Sequence, residues 1–595
     1  MATGSSSFPM GKIAGRHTFP LANVLIAGSL GLFTFFWFAG PARYALLANQ
    51  DQTLFLTTKA YFLSTLQHPG GLLEYTASFL AQLLRFPHAG ALVISSFVVS
   101  AFFLSAGWAK EAGGNQERLI AGMLSALMVA AMHNYYPHQL HHTLGIIVAL
   151  GAALLVPQNR AGRRRYFLVV VPLLYLCCGG FVWLFALLWL SRRFTLYRKV
   201  DAGGVLWVTL YPVFWLLAGY VLFTYPLEFL AVNPLPMGSG YGTPLWPLIF
   251  TAWMCLLPLL VSMAARWSAG QVVKGATLTA GVLGVSAVMI LSSYHRKNAE
   301  FFTIESMAVR EDWKGLLQYV EKHPSTNLFG NFYTNLALMH EGRLCSELFD
   351  YPQPFGRRAL CFEWDAKGEI LRRGSDFFWA IGFVNEAHHW AYESMVVDGI
   401  TRRNLLRLIQ TELVLGHRRL AEKYIGILER TLFDRAMARH YRDLLSDSQA
   451  LAVDPELGPK AGIRFDHDFF ADGLDLERNL KALLNSDPSL GPPLDYLMAL
   501  YLLERRVDEI VPLLPAYLER SGGTLPALLD ETLLVHKITN REDNRTGLAV
   551  SPATIRRFDD YSQILRQSGG HEEAARKLYP RYGNTFWYYL NFSSI

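Results

Sequence analysis

Long apolar runs fill this chain up to about Tyr294 and are absent beyond it, and that asymmetry limits the fold more than any single motif. A run near 20 residues is what an α-helix needs to cross a bilayer, because every backbone polar group must be bonded within the segment. The candidate spans are 19–40, 89–108, 117–134, 140–157, 204–223, 245–264 and 273–294. From about His295 onward charged residues are spread evenly and no strand-like alternation of any length occurs. The predicted class is all-α: a polytopic transmembrane helical core over 1–294, then a soluble α-helical repeat domain over 295–595. The composition agrees, with 52% hydrophobic and only 17% charged residues. A net charge of +6 is small for this length, and the basic residues of the first half cluster in short loops. That pattern marks cytoplasmic loops and gives no nucleic-acid surface; the expected partner is the lipid bilayer.

Topology turns on one segment. Lys12 and Arg16 precede the first run, which reads as a retained span with a cytoplasmic N-terminus. The run 166–190 is flanked by Arg160, Arg163, Arg164 and Arg165 on one side and by Arg192, Arg193, Arg198 and Lys199 on the other. A single crossing would expel one of these clusters. A re-entrant hairpin turning at Cys177-Cys178-Gly179-Gly180 keeps both inside and puts the C-terminal domain outside. The loops 41–88, 134–140 and 224–244 are then outside too. A single crossing instead makes the C-terminal half cytoplasmic. Cys345 and Cys361 either pair, if that half is outside, or stay free thiols.

The second half reads as helix pairs. In Asn404–Leu432, Leu405, Leu408 and Ile409 share a face, Gly416 marks a turn, and Ala421, Tyr424, Ile425 and Leu428 begin a second helix. Asn335–Leu344 and Leu494–Leu518 follow the same plan. The pattern resembles the tetratricopeptide repeat, with a plain helical bundle as the alternative. Either makes a surface for a protein or peptide partner. His388, His389 and Glu386 read as a packed helix. There is no Gly-rich phosphate loop, no Gly-x-Ser-x-Gly elbow and no HExxH.

Chemistry points to the loop 41–88, half apolar yet acid-bearing. Asp51, just past the first run, can serve as a general base or hold a divalent cation, or it can simply start the next helix. Glu74 follows His68-Pro69-Gly70-Gly71 and is spaced with Ser78 and Gln82 or Arg85 along one helical face. An Arg beside a carboxylate suits a lipid phosphate. His138, His141 and His142 stand at i, i+3 and i+4, which is metal- or phosphate-contact spacing. Amphipathic histidines at a membrane interface give the same pattern.

Two resemblances rest on these residues. Asp51 beyond the first span, the helices around His68-Pro69-Gly70-Gly71, and Phe86-Pro87-His88-Ala89-Gly90 leading into the second span resemble the first outer loop of GT-C type glycosyltransferases. That resemblance implies a polyprenyl-phosphate-linked sugar donor and a loop carboxylate as base or metal ligand. Among the acids of that loop it reaches Asp51 alone, because Gln50 and Gln52 stand where paired acids are usual. Gln52, His68, Glu74, Arg85, His138 and His142 then become the residues expected to shape a substrate or lipid-phosphate site. More extensively, Asp51-Gln52-Thr53-Leu54-Phe55, Pro69-Gly70-Gly71-Leu72, Phe79-Leu80-Ala81-Gln82, Asn335-Leu336-Ala337-Leu338, Gly416–Leu432 and Thr585-Phe586-Trp587-Tyr588-Tyr589 resemble an uncharacterised family of bacterial polytopic membrane proteins. This implies an inner-membrane location, with the C-terminal domain periplasmic on the hairpin reading. Two functions follow: a GT-C-like transferase, or a non-catalytic envelope scaffold recruiting partners through its repeats.

Overall fold

The computed structural model describes residues 21–595 apart from 51–53, 198–201, 237–244, 269–280, 282–283, 286–287, 366–367, 464–474, 541–546 and 594–595. The expected loop 224–244 and span 273–294 fall partly outside the described residues. Among those residues every regular element is helical, as the sequence predicts, and one isolated antiparallel bridge joins Leu56 to Thr431. The chain divides into two compact units, one of 1–43 with 65–294, the other of 44–64 with 295–595.

In the first unit, Pro87–Trp108 is central and packs against Leu21–Ala39, Asn115–Asn134 and Leu140–Leu154. Three described helices are long and apolar enough to cross a membrane: Pro87–Trp108, Gly203–Leu222 and Leu245–Ala265; the bent pair Asn23–Ala39 and Arg43–Asn49 makes four if it is one span. Their burial differs sharply, at 56%, 17% and 28% of residues, so the last two present their apolar side chains outward. Arg160–Cys178 and Phe181–Arg192 form an antiparallel pair. Gly179 turns between them with φ +59°, and Phe167 on the first arm meets Trp189 on the second at 5.4 Å between ring centres. Both open ends sit by one loop: Glu111 pairs with Arg192 at 3.3 Å and accepts from Gln158 Nε2 at 3.3 Å, while Arg163 donates to the Gln158 carbonyl.

The second unit is built from successive antiparallel helices. Glu369–Ala380 packs on Val384–Asp398, that helix on Arg402–Val414, that on Arg418–Leu428, and that on Arg435–Ser446. Five turns close their helices in the same way. A left-handed residue sits at Glu311, Gly342, Gly382, Gly416 and Arg505, with φ of 57, 68, 84, 75 and 61°. The next residue bonds the carbonyl five positions back, from Asp312 to Met307 at 3.0 Å through Arg506 to Tyr501 at 2.9 Å, and a new helix starts one residue later. This is the Schellman motif, which glycine fills without strain. The segment 44–64 belongs to this unit as well: Thr57 donates to the Arg430 carbonyl at 2.8 Å, Phe55 is buried, and Tyr44 stacks on Phe302. Cys345 and Cys361 are free thiols, with Cys345 buried beside Asp495.

The aromatic C-terminal helix Phe586–Phe592 packs within its own unit, Trp587 against Tyr561 and Tyr589 stacked on Phe349. Glu531, 2% exposed, holds its start by accepting the Phe586 N–H at 2.9 Å and an Arg557 N–H at 3.2 Å. Burial pushes this carboxyl up to about 7, against pull from the Phe586 amide and Arg557. A raised carboxyl pKa means the folded state keeps a proton that the unfolded chain releases, so stability present at low pH is lost as pH rises from about 4.5 to about 7. Glu531→Gln is therefore expected to flatten the melting profile across that window and to remove a penalty on the order of 3 kcal/mol at pH 8. Parallel pH profiles for the two proteins in thermal melts would contradict this.

Candidate functional site

Within the first unit, three stretches far apart in sequence meet around Gly70. Its N–H bonds the Leu176 carbonyl at 3.0 Å, and the Gly180 N–H bonds the Asn233 carbonyl at 2.8 Å. Asn233 Nδ2 then donates to Glu74 Oε1 at 2.8 Å and lies 3.4 Å from His68 Nδ1. His68 Nε2 is 3.6 Å from Glu74 Oε2, and the His68 ring stands edge-on to Tyr225 and Phe229. Burial pushes the Glu74 carboxyl above its usual range, while His68 and the Asn233 hydrogen bond pull it back. A half-buried acid of this kind beside an imidazole is an acid–base candidate. Of the residues expected here, the fold brings His68 and Glu74 together and adds Asn233. Arg85 lies half-buried just beyond the helix Gly71–Leu83. Asp51 and Gln52 lie outside the described residues.

The histidines form a buried cluster. His138 Nε2 is 2.8 Å from Thr143 Oγ1, which is 3.1 Å from His133 Nε2. The helix starts at Leu140, so His138 precedes it, and His133 completes the group from the preceding helix. His142 lies 5.5 Å from His138 between ring centres, and Nδ1 of each has no hydrogen-bond partner among the described residues. Among the described residues, no three histidine, cysteine or carboxylate side chains converge as metal ligands.

The second unit holds a half-open cavity of about 430 Å³. Its floor includes Tyr333, Asp376, Arg403 and Arg407. Arg403 pairs with Glu305 at 2.6 Å and with Asp376, and Arg407 reaches Asp376 at 3.3 Å. Guanidinium neighbours outweigh burial and hold both carboxyls below their ordinary range. One wall is Trp379, which donates to Glu456 at 2.9 Å and lies under the Arg407 and Lys460 cations at 4.6 and 4.9 Å. The lining also includes Trp313, stacked on His340 with ring centres 4.2 Å apart. Burial, with Lys460 and Arg407 nearby, brings His340 down to about 4.

These features define an all-α protein with membrane-capable helices and a helical C-terminal unit that carries a charged, aromatic-walled cavity. The chain belongs to DUF6057, a family of unknown function, whose model matches residues 18–593. No curated protein and no solved structure matches it.

Reading the sequence missed this cavity, because its residues come from turns and helix faces that look solvated one at a time. One signal was present: in the five equivalent turns, Glu311 and Arg505 stand where the other three have glycine. The Gly70–Gly179–Asn233 junction gives a direct test of the first unit. A Cβ at Gly179 would come within 2.2 Å of the Asn233 carbonyl, at a left-handed φ. Gly179→Ala is expected to cost about 2–3 kcal/mol and to lower the melting temperature of the detergent-solubilised protein. An unchanged melt would show that the junction is loose.

Proposed function

We propose that this protein is a multi-pass inner-membrane protein that carries a tetratricopeptide-like binding domain on the outer face of the membrane, and that it recruits a ligand or partner through the cavity of that domain. The carrying observation is the cavity itself: about 430 Å³, aromatic in part of its lining and charged at its floor, which is the form of a recognition pocket. By contrast, Glu74, His68 and Asn233 are engaged with one another. The sidedness rests on connectivity. The segment 44–64, which leaves the first helix, belongs to the C-terminal unit, so both lie on one side. Pro87–Trp108 then carries the chain across to the Glu111 loop, where Arg163 and Arg192 gather. The positive-inside rule makes that loop cytoplasmic and the C-terminal unit periplasmic.

Two measurements test this. In a cysteine-free background, Ser446→Cys is expected to react with an impermeant maleimide on intact spheroplasts and Lys110→Cys only after lysis; both residues are exposed. The opposite labelling would reverse the topology. Native mass spectrometry is expected to find a bound molecule or partner on the wild type that is lost in Leu406→Trp, which fills the cavity. Identical spectra would remove the cavity from the function.

Glu74 favours a second reading, a GT-C-like transferase using a polyprenyl-phosphate-linked sugar. Its carboxyl is raised by burial and hydrogen-bonded by Asn233 beside His68, in the loop that carries the GT-C resemblance. Asp51 would be base or cation ligand, and Arg85 with the His138 and His142 face would border the lipid phosphate. Proteoliposomes given radiolabelled polyprenyl-phosphate sugar are expected to transfer it, with Glu74→Gln slower by about 10²–10⁴-fold. Wild-type transfer no greater than that of empty liposomes would end this reading.

A further inference from the structure

Almost every charge around the cavity is already spent on a neighbour. Arg402 pairs with Asp434 at 3.0 Å, Arg403 with Glu305 and Asp376, and Arg407 with Asp376 and Gln410. Glu456 accepts from Trp379 and Gln410. Two groups stand apart. Among the described residues, the Lys460 ammonium has the Trp379 face beneath it but no hydrogen bond and no ion pair within 4.0 Å, and the Glu311 carboxylate has neither. Both line the cavity, and each feels the other's charge without closing a pair.

The backbone singles out Glu311 independently. Of the five Schellman turns that lead straight into a new helix, three carry glycine at the left-handed position, as does the further Schellman turn at Gly522. Arg505, one of the two exceptions, is explained by its contacts, since its guanidinium reaches the Ser593 carbonyl and lies 5.4 Å from the Tyr589 ring. Glu311 makes no such side-chain contact among the described residues, yet its backbone is held in the strained left-handed conformation at the cavity edge. Strain kept without an internal partner points to an external one.

The charge pattern selects the partner's chemistry. A polyanion would meet the Glu311 and Glu456 carboxylates, and a simple cation would meet Lys460 and Arg407. A neutral sugar would bury both open charges without a counter-charge, which is costly. A zwitterion satisfies both. We propose that this cavity binds a small zwitterion of the amino-acid or short-peptide class, its carboxylate on Lys460, its ammonium on Glu311, and its side chain against Leu336, Leu406 and the Trp313–His340 stack. The proposal rests on the binding-domain reading above and names its ligand.

The test is a ligand screen on the full-length protein in nanodiscs, by thermal shift and calorimetry. The probes are leucine, Ala-Ala and Ala-Ala-Ala, their N-acetyl and C-amide forms, maltotriose and tripolyphosphate. The free zwitterions are expected to bind, and masking either end is expected to weaken binding about tenfold or more. The best of the three lengths separates a free amino acid from a peptide. Lys460→Gln is expected to lose binding. Glu311→Gly is the sharper variant: it relieves the left-handed strain, so the melting temperature should rise by about 2–4 °C while zwitterion binding is lost. Undiminished zwitterion binding by Glu311→Gly, or equal affinity for capped and free peptides, overturns the assignment. If only maltotriose or tripolyphosphate binds, and Leu406→Trp abolishes it, the binding domain stands and the zwitterion falls. If no probe shifts the wild type, the zwitterion falls on this screen, and the binding-domain reading is judged by the native mass spectra.

Discussion

The C-terminal unit depends on a buried set of guanidinium–carboxylate pairs. Glu305, Tyr333, Arg373 with Asp376, and Arg403 with Arg407 come from four different helices. Arg373 meets Glu305 at 2.6 and 2.9 Å, and the Tyr333 hydroxyl donates to Asp376 at 3.0 Å. Removing one partner from such a network strands a buried charge, at a cost of about 3–5 kcal/mol. The network therefore fixes the relative register of the four helices. It also settles the electrostatics of the cavity above it: the floor is rich in charge yet largely neutralised, so selectivity falls to the few groups left unpaired at the rim.

Much of the second unit was legible because its helices announce themselves. The Leu405, Leu408 and Ile409 face and the Ala421, Tyr424, Ile425 and Leu428 face are both buried, with Gly416 in the left-handed turn between them. The Gly179–Gly180 turn could also be read directly, because only glycine lets two arms reverse against a neighbouring backbone this closely. What the sequence could not disclose is pairing across distance. Nothing local links Asn233 to Glu74, separated by 159 residues, or Lys460 to a cavity begun at Ala308. The histidines illustrate the same limit. Helical spacing grouped His138 with His141 and His142, and His142 does lie beside it, but the helix begins two residues after His138, and His133 and Thr143 join the cluster from outside that pattern.

The loop 41–88 shows how a continuous stretch can serve two bodies. From residue 44 to 64 it follows the C-terminal unit, with Leu54 and Phe55 buried and Thr57 bonded to Arg430. From residue 65 it follows the first unit, where His68 to Glu74 lock onto the Gly179 and Asn233 turns. Part of its apolar character, odd for a loop, has this origin: Leu54 and Phe55 are buried in one unit and Leu73 and Ala77 in the other, while Leu63, Leu66, Leu72, Phe79 and Phe86 stay exposed.

Glu311 and Arg505 argue about function by their difference. Each places a non-glycine residue where the chain repeatedly uses glycine, and each carries a strain of about 1–2 kcal/mol. A protein of marginal stability keeps such strain only where something offsets it. For Arg505 the offset is visible, since its guanidinium secures the C-terminal helix that Glu531 holds from the other end. For Glu311 no offset is found among the described residues, and it lines the same cavity as the equally uncommitted Lys460 ammonium. The same rule of physics that explains one turn structurally therefore leaves the other to be explained by what the cavity holds.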